Sequence, residues 1–189
     1  MLIGCVQLVA VLGTMFSVAL VGHSLTPSEL HVNGADIRIF RKPGGKWVDL
    51  DSREFSEFWA SSFDLGIFVL GGNDLASASV NSVVQEAVRV VDRAKLSCRV
   101  VTVFSAEKRE YSEGNRFGIN HVEFNKARNE YNRKIRRLLN RKGVRVVDFG
   151  VPWLSNERSA DGVHFNREAQ GSFRRMVARV VRGVMGSRE

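Results

Sequence analysis

Residues 16–25 read Phe16-Ser17-Val18-Ala19-Leu20-Val21-Gly22-His23-Ser24-Leu25. The apolar, β-branched run Phe16–Val21 predicts a strand buried on both faces, as in a parallel sheet. It stops at Gly22, a serine follows two residues later, and Thr26 and Pro27 suit the cap and first turn of a helix over 26–32. A strand–turn–helix of this kind puts Ser24 at the carboxyl edge of a sheet, where open α/β folds bind their ligands. A hydroxyl held there lies near N–H groups that stabilise negative charge.

The same pattern recurs outward from this stretch. Asp36–Phe40 alternates as a strand and ends at Arg41-Lys42-Pro43-Gly44-Gly45, where adjacent glycines let backbone approach a ligand or simply make a surface turn. A helix is predicted over 49–60. Asp64–Leu70 is a second strongly apolar strand, followed at once by Gly71-Gly72-Asn73-Asp74. An asparagine at that end of a strand can aim an amide N–H at a developing oxyanion, and is equally a good turn or cap residue. A helix over 77–96, a strand over 99–104, a polar loop over 105–118, a basic helix over 119–142 and a last strand over 144–149 follow. The loop at 105–118 is long enough to wall a substrate pocket. Asp161-Gly162-Val163-His164 then precedes a terminal helix over 166–184. An Asp and a His three apart in a turn can meet, the carboxylate taking the Nδ1 proton and leaving Nε2 as a base. A capping aspartate beside an incidental surface histidine is the plainer alternative.

Five apolar strands alternating with helices predict a three-layer α/β/α, flavodoxin-like fold with a parallel sheet of about five strands. All the candidate residues then fall on the carboxyl edge of one sheet. With 189 residues, 44% of them hydrophobic, the chain can bury roughly two-thirds of its unfolded surface. No linker or repeat divides it, so residues 15–189 are expected to be one domain, with 1–14 an apolar N-terminal extension. No Asp, Glu, Lys or Arg occurs in the first 28 residues. A span or cleavage site reaching into Phe16–Val21 would destroy the first strand, so stable membrane insertion is not expected. An intracellular location is mildly preferred, and a short anchor or leader at 1–14 stays open. Cys5 and Cys98 have no metal-ligand spacing and do not suggest a disulfide framework.

The net charge of +8 permits attraction to acidic partners. Residues 126–142 concentrate it in Lys126, Arg128, Arg133, Lys134, Arg136, Arg137, Arg141 and Lys142, along a helix whose apolar stripe includes Ala127, Tyr131, Ile135 and Leu138. This is the solvated face of a packed helix or, alternatively, a nucleic-acid contact.

Together these blocks resemble the SGNH, or GDSL-like, hydrolases over nearly the whole chain from Phe16. Gly22-His23-Ser24-Leu25 is similar to the family's first block, Gly71-Gly72-Asn73-Asp74 to its third and Asp161-Gly162-Val163-His164 to its fifth. The second block, which carries an oxyanion-hole glycine, is looser and leaves Gly44 or Gly45 open. The chain departs from the family at His23, where Asp is usual; that position flanks the serine. The resemblance implies Ser24 as nucleophile, His164 as base and Asp161 as its orienting carboxylate. It also implies an oxyanion hole from Ser24, Gly44 or Gly45, and Asn73, with Gly22, His23, Gly71 and Asp74 as supporting positions. The implied activity is hydrolysis of a small acyl ester on a sugar or lipid-like alcohol, with no metal or organic cofactor. The Gly-His-Ser variant also resembles esterase-like domains of some retrotransposon-encoded proteins. An SGNH-fold binding module that holds nucleic acid or an acidic partner on its basic face is the alternative function. A flavodoxin-like nucleotide binder is disfavoured because no glycine-rich phosphate loop follows the first strand.

Overall fold

The computed structural model describes residues 15–110, 118, 120–149 and 161–188. The proposed extension at 1–14, Cys5 and much of the loops at 105–118 and 150–160 lie outside them.

Among the described residues five strands form one sheet: β1 (Phe16–Gly22), β2 (Ala35–Arg41), β3 (Phe63–Val69), β4 (Cys98–Phe104) and β5 (Arg145–Val147). The order is β2-β1-β3-β4-β5 and every pairing is parallel. Among the described residues four α-helices accompany it: the short α1 (Ser56–Trp59), α2 (Val80–Ser97), α3 (His121–Arg141) and α4 (Arg167–Met185).

The two-residue period of the strands divides the core. Ala19 and Val21 of β1, Phe68 of β3 and Val103 of β4 face one side, against Trp47, Leu50, Phe58 and the apolar faces of α2 and α3. Val18 and Leu20, Leu65 and Ile67, and Phe104 face the other, against Phe149, Phe165 and the Phe173–Val177–Val181 stripe of α4. Burial on both faces is why these strands read as continuous apolar runs. The result is the expected three-layer α/β/α arrangement.

Two local expectations fail. No helix forms over 26–32. Instead Thr26 donates its N–H back to the His23 carbonyl at 2.9 Å, and Leu25 and Val32 bury their side chains in the α4 face of the core. Packing of that irregular segment overrides the helix-start signal of Thr26 and Pro27. Ser24 therefore has no helix N-terminus directly behind it. The segment at 49–60 is not one helix but two 3₁₀ turns, Trp47–Asp51 and Arg53–Phe55, followed by α1.

The strand order fixes where a site can lie. From β1 the chain moves to β2 on one side and to β3, β4 and β5 on the other. The switch point is thus between β1 and β3, and the crevice opens at their carboxyl ends.

Candidate active site

The loop after β1 is shaped by Gly22. A Cβ there would lie 2.2 Å from Thr26 Oγ1 and 2.6 Å from the Val69 carbonyl, so only glycine lets the chain turn this sharply against β3. The turn presents the half-buried Ser24 at the sheet edge. His23, only 2% exposed, points inward, and its Nδ1 accepts the Leu25 N–H at 3.3 Å. Burial, the largest influence, lowers its pKa, against the opposing charge of Glu107. His23 is therefore a neutral, internally bonded side chain that shapes the turn.

Asp161 and His164 reach Ser24 from the far end of the sequence. Asp161 Oδ1 accepts the N–H groups of Val163 and His164, both at 2.9 Å, which folds the four residues into a tight turn. Its Oδ2 lies 2.5 Å from His164 Nδ1. His164 Nε2 lies 3.1 Å from Ser24 Oγ. Two neighbours anchor the turn. Phe165 packs among Phe149 and Phe173 beneath it. Asn166 caps α4, accepting the Ala169 N–H at 2.9 Å. The six-residue stretch from Asp161 to Asn166 thus carries an orienting carboxylate, a histidine, an aromatic anchor and a helix cap.

The loops after β2 and β3 complete the edge. Gly44 adopts φ = +70°, a glycine conformation, and lines the crevice. Gly45 donates its N–H to the Lys42 carbonyl at 2.9 Å, and its own carbonyl accepts Asn73 Nδ2 at 3.3 Å. Gly71 adopts φ = +107°, a glycine conformation, and a Cβ there would press on the Tyr131 ring at 3.0 Å. Asp74 ties the two loops together. It is 5% exposed, and its Oδ1 accepts the Trp47 N–H at 3.0 Å. Trp47 Nε1 in turn donates to the Tyr131 hydroxyl at 3.0 Å. A cavity of about 290 Å³ lies over this edge, bordered by Ser24, Gly44, Asn73, Arg109, Val163 and His164. A smaller one of about 100 Å³ opens on the other side of Ser24 and His164, toward Arg41 and Arg174.

Burial pushes the Asp74 carboxyl up from near 3.8 to about 6, despite the Trp47 hydrogen bond that favours its charge. Above pH 6 the fold holds a buried charge at a cost. As pH falls below 6 the folded protein takes the proton before the unfolded chain does, and the cost is lost progressively between about 6 and 3.8. Asp74→Asn keeps an acceptor for Trp47 but carries no charge. It is expected to unfold at higher urea than the unsubstituted protein at pH 7.5, by an advantage of up to about 3 kcal/mol. The advantage should shrink as pH falls toward 4.5; an equal difference at both pH values would contradict this account.

Glu107 and Arg109, in the polar loop after β4, are site neighbours that the sequence reading did not single out. Both are buried, at 3% and 4% exposure. Glu107 lies against Gly72, where a Cβ would come within 2.5 Å of its Oε1. Arg109 Nη2 donates to the Gly72 carbonyl at 3.1 Å and to Asn73 Oδ1 at 3.3 Å.

The basic helix is partly absorbed by the fold. Arg128 donates to the Ala106 carbonyl at 2.9 Å, and Lys134, Arg136 and Lys142 pair with Glu130, Asp148 and Asp92. Among the described residues no three His, Cys, Asp or Glu side chains converge as a metal site requires. No helix among them is long and apolar enough to cross a membrane.

No family model matches the chain, and no curated protein matches it in sequence. Solved structures do match it in shape. A carbohydrate acetylesterase family member from Sinorhizobium meliloti superposes with a TM-score of 0.72 at 17% identity, covering 91% of this chain and 100% of that one. The native aryl esterase of M. smegmatis gives 0.71 at 15% identity over 89% of this chain and 99% of its own. The lipase/acylhydrolase of Enterococcus faecalis gives 0.68 at 15% identity, over 89% and 96%. With its five parallel strands, its layers and the placement of its loops, the chain has the SGNH, or GDSL-like, hydrolase fold.

Proposed function

We propose that the chain is a serine esterase that hydrolyses small acyl esters, acetyl esters of a sugar or lipid-like alcohol among them. One observation carries the reading: Ser24 Oγ, His164 and Asp161 form an unbroken chain of contacts at 3.1 and 2.5 Å on the wall of a cavity at the switch point. The esterase and acetylesterase names of the neighbouring structures support the same class.

In this reading Asp161 Oδ2 accepts the Nδ1 proton of His164, which leaves the Nε2 lone pair facing Ser24. His164 takes the Ser24 proton as Oγ attacks the ester carbonyl. The oxyanion receives the N–H of Ser24, one amide N–H of Asn73, and the N–H of Gly44. Gly44 is preferred to Gly45 because the Gly45 N–H is already donated to Lys42. His164 then protonates the departing alcohol, and a water activated by the same Nε2 hydrolyses the acyl-enzyme.

The direct test is hydrolysis of p-nitrophenyl acetate by the purified protein. Saturable turnover well above the buffer rate is expected, and release no faster than in buffer would overturn the proposal. Asn73→Ala should lower kcat by about 10²- to 10³-fold with KM little changed, because its amide acts mainly on the charged intermediate. A loss confined to KM would remove Asn73 from the oxyanion hole.

A further inference from the structure

We infer that Arg109 is a positioning residue: it fixes the orientation of the Asn73 amide and strengthens its N–H as a donor. The inference rests on the esterase reading above and adds to it a residue outside the sequence blocks that suggested it.

The two ends of an asparagine amide have nearly the same shape, so only their hydrogen-bond partners choose between the two flips. Here the partners leave one choice. Arg109 has donors alone, and its Nη2 meets Asn73 Oδ1 at 3.3 Å. The Gly45 carbonyl is an acceptor alone, and it meets Asn73 Nδ2 at 3.3 Å. The opposite flip would set NH₂ against guanidinium and oxygen against oxygen. Nδ2 carries two hydrogens. Gly45 takes one, and the second is left for the cavity that Asn73 borders with Ser24 and His164. Donation from a cation into Oδ1 also polarises the amide, which makes that second N–H a better donor to an oxyanion.

Arg109 itself is held rigidly. The same Nη2 donates to the Gly72 carbonyl at 3.1 Å, and its guanidinium lies 4.3 Å over the Phe124 ring. The backbone N–H and carbonyl of Arg109 are both taken by the Asn125 side chain, at 3.1 and 2.7 Å. At 4% exposure it presents little surface to a substrate although it borders the cavity, and its side-chain hydrogen bonds among the described residues go to the Gly72–Asn73 segment. A long cation on a polar loop is thereby turned into a fixed support for one amide.

The test compares Arg109→Lys, which keeps the charge but cannot reproduce the planar fork, in the normal chain and in Asn73→Ala. With p-nitrophenyl acetate, Arg109→Lys should lower kcat by about 10-fold and change KM by less than about twofold. In the Asn73→Ala background the same substitution should change kcat by less than about twofold, since the amide it acts through is gone. Equal losses in both backgrounds, or a loss confined to KM, would overturn the inference. A second readout does not depend on turnover. The Asn73 side-chain amide resonances should move in Arg109→Lys, and also in Arg109→Gln as an alternative should lysine disturb folding. Unmoved resonances in a folded variant would overturn the inference by themselves. Absence of turnover in the unsubstituted protein, with shifted amide resonances, would refute the esterase reading and leave the Arg109–Asn73 linkage standing.

Discussion

Ser24→Ala is expected to lower kcat for ester hydrolysis by about 10⁴- to 10⁶-fold while leaving the fold unchanged. The size follows from the role proposed for the hydroxyl: without it no acyl-enzyme forms, and the remaining groups can only bind substrate and polarise its carbonyl. The fold should survive because the Ser24 hydroxyl contacts His164 at the rim of a cavity and supports no element of the core. Thermal unfolding of the variant should stay within about 0.5 kcal/mol of the unsubstituted protein, as for a surface change. Turnover above a tenth of the original rate, in a preparation free of other esterases, would show that another group is the nucleophile.

Asp161→Asn should cost about 10⁴-fold in kcat, through tautomer choice. In the unsubstituted protein one carboxylate oxygen accepts the N–H groups of Val163 and His164, and the other faces His164 Nδ1. Asparagine can preserve the two backbone bonds only by placing its oxygen there. Its NH₂ then faces Nδ1, which must accept, and the ring proton moves to Nε2. That nitrogen can no longer take the proton of Ser24. The opposite flip restores the tautomer but abandons two backbone bonds and loosens the turn. Either way the variant folds around Phe165 and Asn166; the first arrangement removes the base, and the second leaves it displaced from Ser24. Kinetics with p-nitrophenyl acetate, with circular dichroism to verify folding, check this; a loss of under tenfold would mean that Asp161 caps the turn and does little else.

These residues were legible in the sequence because their signals are local. A buried β-branched run that ends in glycine and serine, a Gly-Gly-Asn-Asp after the next strong run, and Asp-x-x-His ahead of a capped helix each declare a strand end or a turn within a few residues. Their convergence follows from parallel topology, which puts every such end on one edge. The segment at 26–32 misled for the same reason. Thr26 and Pro27 carry a local helix-start signal, but Leu25 and Val32 are held by the α4 face of the core, which no local pattern contains. The choice between Gly44 and Gly45 depends on the direction of one hydrogen bond, Gly45 to Lys42, and a glycine pair does not encode that. Glu107 and Arg109 were hidden more completely. Charged residues in an aperiodic loop look like solvated surface, and their burial comes from contacts made across the fold, with Gly72, Asn73 and Phe124. The basic stripe of α3 reads in the sequence as a solvated helix face or, alternatively, a nucleic-acid contact, and part of it pairs within the fold.

The central claim is that Ser24 is an activated nucleophile. Its most direct test is treatment of the folded protein with a fluorophosphonate probe, followed by peptide mass spectrometry to locate the adduct. The account predicts a single modification on Ser24, suppressed in His164→Ala. A folded protein that stays unlabelled, or is labelled at another serine while Ser24 remains free, would contradict it.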